Sequence, residues 1–275
     1  MAWKKYADLH GAQAPAKKLY EAGTVPINYS AWPLEQPATQ YAALNADIDT
    51  DVIVIGAGLA GSSVALHLAE RGIRTVLLEA DQPGAGASGR NAGHIQPYLS
   101  SLEPLQDFAD GGRKFLDYFT SHRNIIVDLC QKHGIAADVH QPGMIDAAKK
   151  PSAELDKKAK LWQAQGYNID IIGADTLQHM LGTDVYQHGL LWHEGGQVNP
   201  YLFTNGMVTA ALNLGAQVYG DSRVLACEPV GSNWRIRTAQ GSVTAGQVVI
   251  CTSGHTGNAF FPELQNTHYP LVACG

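Results

Sequence analysis

The chain has 275 residues, and 45% of them are hydrophobic, which is enough to bury a sizeable core in one large domain or two smaller ones. Its 25 acidic residues exceed its 19 basic residues, and the net charge of -6 repels phosphate backbones, so the composition disfavours nucleic acid as a partner. The N-terminal residues lack the apolar core of a signal peptide, and no stretch reaches the ~18 apolar residues of a membrane span. We therefore expect a cytoplasmic protein.

The cysteines and histidines favour no metal site. Cys130, Cys227, Cys251 and Cys274 are widely spaced, without a CxxC pair, and no histidine cluster has the spacing of zinc ligands. We expect reduced thiols and no bound metal. A GxSxG elbow is also absent, so the sequence does not support hydrolysis through a covalent acyl-enzyme.

The N-terminal half begins with an irregular segment and continues into a βαβ unit. Residues 1–50 hold scattered prolines and aromatics without periodicity, which predicts an extended arm lying over a folded body. The run DVIVIG, from Asp51, is typical of a buried parallel strand. A helical stretch, LAGSSVALHLAERG, and a second apolar strand, IRTVLLEA, follow it.

Three further helices are predicted. Residues 112–133 give a long amphipathic helix and residues 151–165 give another, while VHQPGMIDAA between them predicts a strand pair broken at Pro142-Gly143. The third helix has Asn199 as its cap and Pro200 at its first position. The remainder predicts a strand meander that turns near Gln240-Gly241 and returns to the first sheet.

The glycine turn after the first strand has the pattern of a ligand-binding turn. Gly56, Gly58 and Gly61 fit GxGxxG, in which the glycines permit a tight turn, close approach of backbone N–H groups to a pyrophosphate, and close helix packing. Glu79 ends the second strand and would accept hydrogen bonds from the hydroxyls of an adenosine ribose. Its charge disfavours NADP, but this fingerprint does not distinguish FAD from NAD.

The next loop favours FAD. Residues 84–94 read GAGASGRNAGH, a run of small residues whose backbone could lie close to a second part of a cofactor. FAD has such a part. Arg90 and Asn91 stand among these small residues, a placement that suggests a binding loop rather than a flexible surface loop.

These motifs resemble those of a known family. The run from DVIVIGAG to VLLEA, followed by GASGRNAGH, resembles the FAD-dependent amine and amino acid oxidases of the D-amino acid oxidase and glycine/sarcosine oxidase group. Within it the chain is most similar to the gamma-glutamylputrescine oxidoreductase type, whose loop usually reads GASGRNGG. Residues 141–143 and the segment from GLLWHEGGQVNP onward extend the resemblance to roughly residues 45–270.

The resemblance implies a set of cofactor-binding residues. They are Gly56, Gly58, Gly61, Glu79, Ala80, Ala87, Ser88, Arg90, Asn91, Gly93, Val224, Ser253 and Gly254. The glycine turn would hold the pyrophosphate and Glu79 the ribose, and the loop from Ala87 would line the pyrophosphate and ribityl side. The backbone of Val224 would pair with adenine, and the turn at Ser253 would return beside the cofactor.

The catalytic residues are not identified by the sequence. Gly93 and His94 would approach the isoalloxazine, where His94 could orient an amine, although a loop histidine more often bonds its own backbone. This chain has Ala92 and His94 where related loops have Gly and Gln, so the polarity that faces the flavin differs.

The implied fold is α/β, with a Rossmann-like FAD-binding βαβ domain and an interleaved α+β substrate domain that is incomplete at the C-terminus. We expect an N-terminal arm at 1–50, FAD-binding segments at 51–135 and 196–258, a substrate-domain segment at 136–195, and the start of another at 259–275. Family members run well past 400 residues, so a partner chain could supply the missing part.

The implied activity is oxidation of a C–N bond in an amine or amino acid by hydride transfer to FAD. Two alternatives stay open: a flavin dehydrogenase that passes electrons to an acceptor other than oxygen, and a non-catalytic FAD-binding fragment or subunit. The sequence does not distinguish amino acid, polyamine conjugate and methylated amine as substrates.

Overall fold

The computed structural model describes residue 32 and residues 39–99 and 101–256. In chain order its strands are β1 (Asp47–Ile55), β2 (Thr75–Leu78), β3 (His94–Ile95), β4 (Met144–Ala148), β5 (Ile169–Gly173), β6 (His188–Trp192), β7 (Gly196–Gln197), β8 (Gln217–Tyr219), β9 (Ala226–Val230), β10 (Asn233–Arg237) and β11 (Ser242–Ile250). The helices are α1 (Leu59–Ala69), α2 (Arg113–Ser121), α3 (Ile125–His133), α4 (Ala153–Gln163), α5 (Ala174–Leu181) and α6 (Pro200–Asn213).

Six strands form the main sheet, in the order β8-β2-β1-β11-β10-β9. The first four strands are parallel, and the hairpin of β10 and β9 continues the sheet antiparallel. β1 lies between β2 and β11, so its apolar residues 52–55 are buried on both faces, as the run DVIVIG predicted. The strand begins at Asp47, four residues before the predicted start.

Helices cover one face of this sheet. Val52 and Val54 point toward α1, α3 and α6, whereas Ile53 and Ile55 point to the other face, because successive side chains of a strand alternate. Leu44, which precedes β1, packs on that second face. The β1 side chains on both faces of the main sheet are therefore buried.

A second, antiparallel sheet has the order β4-β6-β5 and packs on α4 and α5. Its core is aromatic. Trp162 from α4 and Trp192 from β6 are almost fully buried, and Tyr98 stacks on Trp192 with ring centroids 4.0 Å apart. The sequence predicted β4 and α4, but we did not predict β5 and α5, because residues 166–187 lack a clear apolar period.

The predicted helix over 112–133 is wrong as a single helix, because it breaks into α2 and α3 at residues 122–124. The hydroxyl of Ser121 donates to the Tyr118 carbonyl at 2.9 Å, and His122 Nδ1 lies 2.8 Å from the same oxygen. These side chains compete for the carbonyl that the backbone N–H of His122 would use in a continuous helix. That N–H instead bonds Phe119 at 3.2 Å, and the helix ends.

The predicted strand pair at residues 139–148 is present only as one strand, β4. His140, on the other side of Pro142-Gly143, makes an isolated bridge to Gln197 and does not pair with β4.

The third helix and the meander are confirmed: Asn199 caps α6, and the turn at Gly241 leads into β11. None of the helices in the described ranges is long and apolar enough to cross a membrane.

Candidate cofactor site

The glycine turn lies at the carboxyl end of β1, between that strand and α1. Gly56 has φ +99°, a conformation that glycine adopts without strain, and its N–H donates to the Leu78 carbonyl at 2.7 Å. A Cβ on Gly56 would lie 2.7 Å from the Cys251 carbonyl oxygen, and a Cβ on Gly61 would collide with the Gly56 carbonyl. Both glycines are therefore required for α1 to start this close to the sheet.

The N-terminus of α1 presents backbone donors. Within the described residues, the N–H groups of Gly58, Ala60 and Gly61 have no protein acceptor. The first turn of α1 also holds no acidic residue. Unpaired N–H groups and the positive end of a helix dipole form a binding site for an anion, so this turn suits a phosphate group.

Glu79 follows β2 and reaches back to the glycine turn. One carboxylate oxygen accepts from the Ala57 N–H at 2.7 Å, and the other accepts from the Asp81 N–H at 3.1 Å. These bonds hold the carboxylate in place, and each oxygen keeps lone-pair capacity for a hydroxyl donor. Ala80 is half-buried beside it.

The small-residue loop closes over the glycine turn through Ser88. The hydroxyl of Ser88 accepts from the Leu59 N–H at 2.9 Å, and a Cβ on Gly58 would lie 2.7 Å from that hydroxyl oxygen. Ala87 begins the short 3-10 turn that carries Ser88, and Arg90 ends it half-buried. Only a glycine at position 58 allows the Ser88 hydroxyl to approach the turn this closely.

Asn91 shapes the following backbone. Its amide donates to the Ala87 and Ser88 carbonyls at 3.3 and 3.1 Å, and its side-chain oxygen accepts from the Gly93 N–H at 2.8 Å. The indole of Trp32 donates to the Asn91 carbonyl at 2.8 Å. Trp32 thus places at least one residue of the N-terminal segment on the folded body, against the predicted binding loop.

His94 lies in β3, which pairs with β7 opposite Gln197, and its side chain is exposed. Among the described residues its imidazole has no hydrogen-bond partner, its own backbone included. Gly93 before it is buried and has φ +69°, and a Cβ there would collide with the Val198 carbonyl. A catalytic role for His94 stays a prediction.

The segment between β8 and β9, which contains Val224, bonds the backbone of Glu79 and Asp81. The Ser222 N–H donates to the Glu79 carbonyl at 2.7 Å, and the Asp221 N–H donates to the Asp81 carbonyl at 2.7 Å. Val224 itself is buried, and within the described chain its backbone N–H and C=O have no partner. Both groups are available to pair with a ligand.

Ser253 and Gly254 form the turn after β11. The Cys251 N–H donates to the Ile55 carbonyl at 2.8 Å, so this turn begins beside the glycine turn. Ser253 has φ +48°, a left-handed conformation that is uncommon for a residue with a side chain. The five predicted segments therefore lie at or beside the carboxyl edge of the parallel strands, where ligands of open α/β sheets bind.

Two residues that support the loop were not predicted. The amide of Asn205, on α6, donates to the Pro83 carbonyl at 3.0 Å, and both Asn205 and Tyr201 lie against Gly84. Their local sequence is that of an ordinary helix, so only the packing of α6 on the loop reveals this role.

The described residues contain no group of three His, Cys, Asp or Glu side chains that could hold a metal ion.

The geometry agrees with a comparison against known families. Residues 51–274 match the family described as DAO, FAD dependent oxidoreductase. The chain belongs to this family. The family's cofactor is FAD, which confirms the cofactor predicted from the loop after β2, and the resemblance stated above is confirmed with it.

Individual relatives agree. The chain is 31% identical over 246 residues to gamma-glutamylputrescine oxidoreductase of Escherichia coli, covering 86% of this chain and 57% of that protein. It is 30% identical over 210 residues to the tRNA 5-methylaminomethyl-2-thiouridine biosynthesis bifunctional protein MnmC of Shewanella amazonensis, covering 74% and 30% of the two chains. The crystal structure of glycine oxidase from Bacillus cereus superposes with a TM-score of 0.61 at 21% identity, over 74% of this chain and 55% of the other.

These comparisons confirm the α/β fold class. They also show that the chain spans little more than half the length of the E. coli relative and of the B. cereus structure.

Proposed function

We propose that the chain binds FAD along the carboxyl edge of β1, β2 and β11. Gly56, Gly58 and Gly61 would hold the pyrophosphate, with Glu79 on the ribose and Ala80 beside it. Ala87, Ser88, Arg90 and Asn91 would line the pyrophosphate and ribityl side, with Gly93 at the flavin, Val224 at adenine, and Ser253 and Gly254 at the returning turn.

The observation that carries this proposal is the convergence of unpaired backbone N–H groups at the start of α1 with the anchored carboxylate of Glu79. Three donors suit a diphosphate, and the carboxylate suits a diol one strand away. The absence of a Cβ at position 58 lets the Ser88 hydroxyl lie against the turn, which adds a polar side chain beside these donors. These features fit the adenosine diphosphate half of FAD.

When bound, FAD supplies two-electron oxidation of a substrate. The substrate class we propose is an amine or amino acid, and its finer form is an amine like gamma-glutamylputrescine, supported by the 31% identity to the E. coli enzyme. The name of the second relative refers to tRNA, but the net charge of -6 disfavours a nucleic acid substrate. The interleaved domain division and the cytoplasmic location stay predictions from the sequence.

The cofactor proposal is tested by titrating the purified chain with FAD. Binding is measured as quenching of the flavin fluorescence. We expect ADP to compete with FAD, and NADP to compete less well than NAD because Glu79 faces the 2′ position. Glu79→Ala should weaken FAD binding about tenfold, and Glu79→Gln less, because the amide keeps one acceptor for Ala57. Glu154→Ala, an exposed substitution on α4, serves as the matched control.

Absence of FAD binding by the wild-type chain, or equal binding by Glu79→Ala and the control, would overturn the proposal.

The reaction is tested with the FAD-loaded chain and a panel of amines and amino acids. Loss of the oxidised flavin absorbance without oxygen identifies a substrate, and its return in air distinguishes an oxidase from a dehydrogenase. A chain that binds FAD but is reduced by no substrate supports the alternative of a non-catalytic FAD-binding unit. Restoration of turnover by an added partner chain would support a split enzyme.

A further inference from the structure

The side chain of Gln82 joins three segments beside the adenine end of the candidate site. Its oxygen accepts from the Tyr41 N–H at 2.9 Å, and its amide donates to the Tyr41 carbonyl at 3.2 Å. The same amide donates to the carboxylate of Asp221 at 2.9 Å. One carboxamide therefore binds the backbone ahead of β1 and the turn after β8.

The turn that Gln82 holds is strained and lies next to the adenine position. Asp221 has φ +45°, in the left-handed region that costs free energy for a residue with a side chain. It lies three residues before Val224, whose unpaired backbone is the proposed partner of adenine. A conformation of this kind persists only when its surroundings hold it, and the amide of Gln82 is one of the groups that do so.

The carboxamide of Gln82 packs so closely on the turn after β8 that a side chain at position 220 would not fit. A Cβ on Gly220 would lie 2.5 Å from the amide nitrogen of Gln82 and 2.6 Å from its oxygen. Glycine at position 220 thus allows the carboxamide to approach the turn. On the other side, the Ser222 hydroxyl accepts from the Leu44 N–H at 2.9 Å, so the same N-terminal segment contacts the turn a second time.

We propose that Gln82 is a positioning residue for the adenine end of the FAD site. It acts through Asp221 on the backbone of Val224, and through its own backbone, three residues after Glu79, on the ribose carboxylate. This inference rests on the proposed binding of FAD. It assigns to the segment that contains Tyr41 a part in cofactor affinity, in addition to its packing.

The test compares Gln82→Leu and Gln82→Glu with the wild-type chain in titrations with FAD and with ADP. Leu removes all three bonds, and Glu keeps the shape but removes the donor and faces the Asp221 carboxylate with a like charge. Both variants should bind FAD and ADP about tenfold more weakly, and by the same factor for each ligand, because the defect lies at the adenine end. At saturating FAD the visible spectrum should match that of the wild type.

Gln163→Leu is the matched control. The amide of Gln163 donates to the Ile169 carbonyl at 2.8 Å in the second sheet, so its loss also removes a carboxamide bond to backbone. We expect a lower melting temperature for this control and unchanged affinities for both ligands. A general loss of stability would move the melting temperature in all variants, whereas a positioning role moves the dissociation constants only in the Gln82 variants.

A second variant tests the same contact if the Gln82 variants fold poorly. Gly220→Ala retains Gln82 but pushes its carboxamide off the turn, and it should weaken FAD and ADP binding in the same direction. Wild-type affinity in both Gln82→Leu and Gly220→Ala would overturn the inference while leaving the proposed function intact. If the wild-type chain binds no FAD, it is the proposed function that fails.

Discussion

Gly58, in the glycine turn, and Gly86, in the small-residue loop, differ in what a side chain would meet. A Cβ on Gly58 would lie 2.7 Å from the Ser88 hydroxyl oxygen, whereas a Cβ on Gly86 would meet nothing within 4 Å. Gly86 has φ -83°, which alanine adopts without strain. The two positions therefore separate the effect of a side chain at the glycine turn from the general effect of removing a glycine.

We expect Gly58→Ala to weaken FAD binding at least about tenfold, because the methyl group prevents close approach of a pyrophosphate to the backbone and displaces Ser88 from the Leu59 N–H. Titration of flavin fluorescence measures the change. Gly86→Ala is the control and should bind FAD like the wild type. Unchanged affinity in Gly58→Ala would place the pyrophosphate elsewhere.

At the scale of elements, α6 is the helix that supports both α1 and the small-residue loop. The side-chain oxygen of Asn199 accepts from the Leu202 N–H at 3.1 Å, and Asn199 is only 2% exposed. This cap satisfies one of the donors that the first turn of a helix leaves unpaired. The start of α6 is thereby tied to a single buried side chain.

Asn199→Ala should destabilise the chain by about 1 kcal/mol and lower its melting temperature by about 2–4 °C, because the cap bond is lost. Thermal unfolding followed by circular dichroism measures this. Asn199→Ser keeps an acceptor at the cap and should recover part of the loss. An alanine variant as stable as the wild type would mean that the cap bond contributes little.

At the scale of the whole molecule, Glu70 links the C-terminal ends of two helices that are far apart in sequence. Its carboxylate lies 2.7 Å from Lys132 Nζ, 2.9 Å from His67 Nδ1 and 2.7 Å from His133 Nε2. Hydrogen bonding to Lys132, followed by that to His67, lowers the pKa of Glu70 from its ordinary value of 4.5 to about 2. The ionised form is therefore favoured in the folded chain.

A carboxyl group whose pKa is lower in the folded state adds stability above its unfolded pKa and loses it as the pH falls toward the folded pKa. Glu70→Gln should thus melt roughly 2 °C below the wild type at pH 7, and the difference should shrink as the pH falls from about 4.5 toward 2. Glu228→Gln, which breaks the half-exposed pair with Arg237, is the control and should show little change. A difference that is independent of pH would contradict the assignment to the Glu70 charge.

The residues of the candidate site were predictable from sequence where their role depends on neighbours in the chain. The glycine turn follows its strand directly, and Glu79 ends the next strand, so periodicity and spacing locate both. Residues that act across the fold carried no such signal. Gln82, Tyr201 and Asn205 look like ordinary polar residues until packing places them against the turn after β8 or the small-residue loop.

The sequence by itself determined the βαβ unit, the cap of α6, the closing meander and the family, because each depends on interactions within a few residues or on a contiguous motif. Only the tertiary structure decided where the helix predicted over 112–133 breaks, that β5 completes the second sheet and α5 packs on it, and that Trp32 contacts the small-residue loop and Tyr41 contacts Gln82. These features depend on hydrogen bonds and packing between segments distant in the chain, or on a local competition for one carbonyl that periodicity does not encode.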